Sequence, residues 1–190
     1  MHSSPPTWLY KKINVPHLAD IQKELMLVST CVIKDIENLI PDFHYIPRAS
    51  IDFMLPITKA FLHDLGILDR WKYLALITGN HGSSLPLHVD GTDWVNRAYG
   101  LNLPVLNCKD SFTVYYNAEI LCPAIDDADD PRASALYCRE DTAVEIDRIE
   151  VSNPYWANVI VPHRPIVTHQ LPRILASFRF DPELHDLLND

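Results

Sequence analysis

From Trp71 onward the chain breaks into short runs rich in β-branched and aromatic residues: "WKYLALITG", "YGLNLPVLN", "SFTVYYNAEIL", "TAVEIDRIEV", "WANVIVPH" and "RILASFRF". Turn-forming residues separate each run from the next, and no helical periodicity falls between them. Runs of this kind form strands. Strands that follow one another without a crossover helix pair antiparallel. "TAVEIDRIEV" alternates apolar with polar residues, the pattern of a strand with one face in water. Fifteen prolines against five glycines, scattered between apolar segments, favour a loop-rich β protein over long regular elements. This succession of strands restricts the fold to an antiparallel sandwich or barrel.

The first third of the chain reads differently. Across residues 17–40, Leu18, Ile21, Leu25, Val28, Val32, Ile36 and Leu39 recur at three- and four-residue steps. That spacing predicts one amphipathic helix with a single buried stripe, ended by Pro41. "PITKAFLHDLG" predicts a second helix, with Pro56 at its start and Gly66 at its end. The expected organisation is one domain over 1–190: an N-terminal tail (1–16), a helical buttress (17–70), a β core (71–180) and a C-terminal segment (181–190). A chain of 190 residues can bury a sizeable single core.

Charge narrows the partners. The formal net charge is −9 and no Lys/Arg cluster occurs, which argues against nucleic acid. A small-molecule or peptidyl substrate is expected instead. No apolar run approaches the roughly 20 residues of a membrane span. The opening "MHSSPPTWLYKKINVPH" lacks the pattern of a secretory signal, so a cytoplasmic protein is expected. Cys31, Cys108, Cys122 and Cys138 show no C-x-x-C spacing and read as free thiols rather than as a zinc site.

"LPLHVDG" holds the chain's only His-x-Asp, His88 and Asp90. Residues two apart on a strand point to the same face and can share an ion. Imidazole plus carboxylate suits a first-row metal, and a second histidine would complete a facial triad. Two histidines, His163 and His169, stand in "VIVPHRPIVTHQLPRILASFRF". His163, read as closing the apolar strand "ANVIV", is preferred; His169 reads as a loop residue. Arg173 opens the last strand. A hairpin could return it alongside the strand carrying His163, pointing inward with Leu175 and Ser177. A buried guanidinium needs an anion, and no carboxylate of the chain is an obvious partner. The carboxylate of a ligand is the natural one. The plainer alternative has both histidines hydrogen-bonded at strand ends, Asp90 capping a turn and Arg173 in a surface ion pair.

These segments together, "HVDG", "LNLPVLNCKDSFTVYY" and "VPHRPIVTHQLPRILASFRF", resemble the Fe(II)/2-oxoglutarate-dependent dioxygenases over roughly residues 72–180. They look most like the small aspartyl/asparaginyl β-hydroxylase-like branch. The resemblance implies a mainly β fold with flanking helices: a double-stranded β-helix (jelly roll, cupin-like) with the N-terminal helices packed on one sheet. It implies Fe(II) held by His88, Asp90 and His163, with 2-oxoglutarate and O2 as co-substrates. The far carboxylate of 2-oxoglutarate would pair with Arg173, with Ser177 and Asn102 adding hydrogen bonds. The implied reaction hydroxylates an amino acid, an amino-acid derivative or a peptidyl side chain, with succinate and CO2 as co-products. Trp94 and Arg97, in the loop after the His-x-Asp, are placed to touch substrate or else to pack the loop. The rival reading is a cupin-like metal-binding protein, an isomerase or small-molecule binder, that does not use 2-oxoglutarate.

Overall fold

The computed structural model describes residues 8–80, 82, 84–90, 99–121, 136–169, 171–180 and 184–188. Its elements run β1 (Tyr10–Lys12), α1 (Leu18–Val32), β2 (Asp42–Pro47), α2 (Arg48–Ile51), α3 (Pro56–Asp64), β3 (Trp71–Gly79), β4 (His88–Val89), β5 (Tyr99–Leu106), β6 (Ser111–Asn117), β7 (Leu136–Tyr137), β8 (Val144–Glu150), β9 (Tyr155–Asn158), β10 (His163–Val167), β11 (Arg173–Phe180) and α4 (His185–Leu188). The strands make a six-stranded sheet, β1-β9-β5-β11-β3-β2, and a five-stranded sheet, β7-β4-β10-β6-β8. Every pairing is antiparallel. This is the expected double-stranded β-helix, with helices on the six-stranded sheet.

β11 shows how alternation builds the layers. Ile174, Ala176, Phe178 and Phe180 face the helices and pack in one core with Ile21, Leu25 and Val28 of α1 and Leu62 of α3. Each aliphatic side chain buried there contributes about 1.5–3 kcal/mol. Glu24 ties the two helices together. Its carboxylate accepts hydrogen bonds from Ile57 N at 2.7 Å and Thr58 N at 2.9 Å, satisfying the open first turn of α3. On the opposite face of β11, Leu175 packs between the sheets with Ile77, Tyr115, Ile149, Tyr155 and Ala157. Arg173, Ser177 and Arg179 share that inward face.

Register lines the interior up in rows. Arg179 lies between Tyr73 and Gly100, and Gly100 opposite Ala157. In the next row, Tyr45, Ala75, Ser177, Asn102 and Tyr155 follow one another across the sheet. Several of these positions are glycine, alanine or serine, so the space between the sheets is not filled by side chains.

Four expectations need correction. α1 stops at Val32 rather than running to residue 40. The Asp35 carboxylate accepts hydrogen bonds from Glu37 N and Asn38 N, and this local turn replaces helical bonding. Of the predicted stripe, Leu39 beyond this turn is buried in the same core, while Val32 is exposed. Second, the 17–70 region holds a strand as well as helices: β2 adds a sixth strand to the larger sheet. Third, the N-terminal segment contributes a strand to the β core, since β1 pairs with β9. Fourth, His163 opens β10 instead of closing the preceding strand, because β9 ends at Asn158 and residues 159–162 turn the chain into the other sheet. β11 therefore faces β10 across the interior and does not form a hairpin ladder with it.

Candidate metal centre

His88 and His163 are register partners on neighbouring antiparallel strands. Their rings lie 4.7 Å apart, centroid to centroid. Both are held by the same local device. His88 Nδ1 donates to the Pro86 carbonyl at 2.8 Å, and His163 Nδ1 donates to the Val161 carbonyl at 2.8 Å. A carbonyl can only accept, so each Nδ1 carries the proton and each Nε2 presents its lone pair. This is how metal-binding imidazoles are oriented.

Asp90, one residue past β4, completes the set. The three residues offer ligand atoms within 4.8 Å of one another, and this His-Asp-His group could hold a metal ion. His88 Nε2 and Asp90 Oδ1 are 3.2 Å apart. A lone pair facing a carboxylate oxygen at that distance needs a cation between them, either a proton or a metal.

The electrostatics follow from burial and neighbours. Burial opposes ionisation of Asp90, but the Arg179 guanidinium, with Nη2 2.6 Å from Oδ2, holds the carboxyl well below the usual carboxylate range, helped by His88. Burial also opposes charge on His88, yet the hydrogen bond and charge of Asp90 raise its pKa. For His163, burial and then the neighbouring His88 lower the pKa to about 4. One imidazole is thus poised to carry a proton, and the other stays neutral.

A pocket opens on this group. Phe43, Ile77, Ala157, Val159, Pro165 and Leu175 give it an apolar wall, into which His88, His163, Asn102, Thr113 and Arg179 bring polar groups. Ser177 is buried beside it and donates to Asn102 Oδ1 at 2.6 Å. The Asn102 side chain in turn hydrogen-bonds Tyr155, whose hydroxyl is 2.7 Å from Thr113 Oγ1. The sequence reading did not single out Thr113 or Tyr155. Their only signal was polar character on the inward face of strands, which needs the register to be seen.

Arg173 is fully buried. Among the described residues its one hydrogen bond is a long one, Nη2 to the Ile77 carbonyl at 3.5 Å, while Nε and Nη1 have no partner. Burial lowers its pKa, opposed only by the neutral Cys108 and Tyr155. Arg173 is not itself on the pocket wall, but Ile77 and Leu175 beside it are. Arg179 sits at the metal end of the same inward face of β11. His169 is outside the triad: its Nε2 meets Ser111 Oγ at 3.1 Å. Trp94 and Arg97 lie outside the described residues.

No family model matches this sequence, and no curated protein matches it. Among solved structures, the chain is similar to a Pseudomonas putida prolyl-4-hydroxylase (TM-score 0.47, 12% identity, covering 92% of this chain and 93% of that one). It is also similar to the non-heme monooxygenase ThoJ in its apo form (TM-score 0.49, 13% identity, covering 92% and 74%). The vicilin of hazelnut, Corylus avellana, aligns at a TM-score of 0.41 and 12% identity over 80% of this chain. The chain spans 32% of that vicilin's length. No residue role is carried over from any of them. No helix among the described residues is long and apolar enough to cross a membrane.

Proposed function

We propose that this protein is a non-haem Fe(II)- and 2-oxoglutarate-dependent oxygenase that hydroxylates an amino acid, an amino-acid derivative or a peptidyl side chain. The observation that carries the reading is Arg173. A fully buried guanidinium with two unpartnered nitrogens, and with no carboxylate beside it among the described residues, is costly. An anion reaching it from the triad end of the interior would satisfy it. 2-Oxoglutarate has the required form, with a chelating 2-oxo acid at one end and a carboxylate at the other.

Each residue then has a task. His88 and His163 offer Nε2 and Asp90 offers Oδ1 to a divalent ion, a donor set suited to Fe(II). Bound iron supplies activation of O2 coupled to oxidative decarboxylation of the oxo acid. Arg179 occupies Oδ2 of Asp90 and so presents the carboxylate through one oxygen. The chain Ser177–Asn102–Tyr155–Thr113 orders the polar side of the pocket. Asn102 and Ser177 thereby act through this chain. The apolar wall keeps bulk water from the centre.

The test is an anaerobic titration of Fe(II)-loaded protein with 2-oxoglutarate, following the weak visible charge-transfer band of the chelate. A band in wild type that is absent in Asp90→Ala supports the reading. Retained iron without a band overturns it in favour of a metal-binding jelly roll that does not use the oxo acid.

A further inference from the structure

Neither the metal ligands nor the Arg173 end of the interior uses the aromatic wall beside Arg179. Phe43 and Tyr45 project from β2 on the interior side, stacked at 6.1 Å. Tyr73, the register partner of Arg179, meets Tyr45 edge-on at 5.5 Å. Phe43 contacts the His88 ring at 5.7 Å and lines the pocket. All three rings are half-buried, and of the three Phe43 lines the pocket and reaches a metal ligand.

Arg179 faces the same space with a donor to spare. Its side chain is 10% exposed, Nη2 is taken by Asp90, and Nη1 has no partner. A Cβ on Gly100 would stand 2.7 Å from Nη1, so the glycine is what makes room for this guanidinium end. Charge gives the sign of the missing partner. Among the described residues, a divalent ion with Asp90, Arg179, Arg173 and a dianionic oxo acid would leave one net positive charge in a buried site, which a monoanion would neutralise.

We propose that the primary substrate is an aromatic monoanion: its ring lies against Phe43, Tyr45 and Tyr73, and its carboxylate oxygen accepts from Arg179 Nη1. The assignment rests on the oxygenase reading for the meaning of "substrate", but the subsite can be tested without turnover. Ring against ring gives the affinity, because aromatic pairs prefer stacked or edge contacts. The arginine gives selection for an anion over a cation.

The experiment uses zinc-loaded protein saturated with 2-oxoglutarate, and saturation-transfer NMR with benzoate, hexanoate and benzylamine as probes. Benzoate is expected to bind about tenfold more tightly than either comparator. Tyr45→Leu combined with Phe43→Leu is expected to remove that preference, and Tyr45→Phe, which keeps the ring, to retain it. Arg173→Gln is expected to lose 2-oxoglutarate and keep benzoate. Equal binding of benzoate and hexanoate, a preference for benzylamine, or loss of benzoate with Arg173→Gln would each overturn the proposal. Benzoate bound by wild-type protein that takes no 2-oxoglutarate would leave the aromatic subsite standing and remove the oxygenase reading instead.

Discussion

Arg179 grips Asp90 by one carboxylate oxygen, Nη2 to Oδ2 at 2.6 Å, and leaves the other oxygen 3.2 Å from His88 Nε2. The carboxylate is therefore ionised, oriented and single-ended before any metal arrives. Removing Arg179 leaves a buried carboxylate without its cation, which costs about 3–5 kcal/mol. Arg179→Met is expected to lower the melting temperature of the metal-free protein, with part of the loss restored by zinc. Thermal melts with and without zinc check it; an unchanged melting temperature would mean that the pair is not formed.

Arg173 predicts a conflict between stability and binding. Arg173→Met replaces a buried, poorly partnered charge with an apolar side chain of similar length. The ligand-free variant is expected to melt at or above the wild-type temperature. It should bind Fe(II) normally and lose 2-oxoglutarate by about a hundredfold or more, the scale of a charge-assisted bidentate contact. Isothermal titration beside melting curves would show both effects.

The two histidines should titrate in opposite directions. His88 is raised above its ordinary value of 6.5 and His163 is lowered to about 4. As pH falls, the metal-free protein should protonate His88 first, above 6.5, while His163 stays neutral until near 4. In linkage terms, the His88 contribution is present below pH 6.5 and fades as pH rises through its raised folded value. The His163 contribution is present above 6.5 and is lost toward 4. Imidazole NMR shifts through a titration would report the order; simultaneous titration near 6.5 would contradict it.

A methyl group at Gly100 should displace the end of the Arg179 side chain. An added Cβ would meet Arg179 Nη1 at 2.7 Å and Ser177 Oγ at 3.0 Å. Gly100→Ala is expected to cost about 1–3 kcal/mol and to weaken zinc binding through the displaced guanidinium. Urea unfolding and a zinc titration would measure the two separately.

Much of the architecture was legible in the sequence because strand signals are local. "WKYLALITG" coincides with β3, and "RILASFRF" with β11. Pro56 and Gly66 bracket α3 and its closing turn, where Gly66 has a φ of +70°. The grouping of His88, Asp90 and His163 was legible in part: His-x-Asp is a local pattern, whereas His163 was preferred for closing a strand to which it does not belong. What the sequence hid depends on register. Whether Arg173 or Arg179 meets Asp90 is decided by which end of β11 lies opposite β4, and no local pattern encodes that. β4 and β7 are two residues each, too short for any periodicity. β2 escaped notice because "DFHYIP" has no clean alternation and stands within a helical stretch.

The brevity of β4 bears on how the molecule comes apart. His88 is held to β10 through a single register pair, at residues roughly 75 positions apart in sequence. An ion bound between them would act as a staple closing that long loop, with its binding energy added where β4 joins β10 in the smaller sheet. Chelation should then loosen this flap while the helix-backed sheet keeps its protection, so that metal supply governs mechanical integrity at one seam of the barrel as well as chemistry within it.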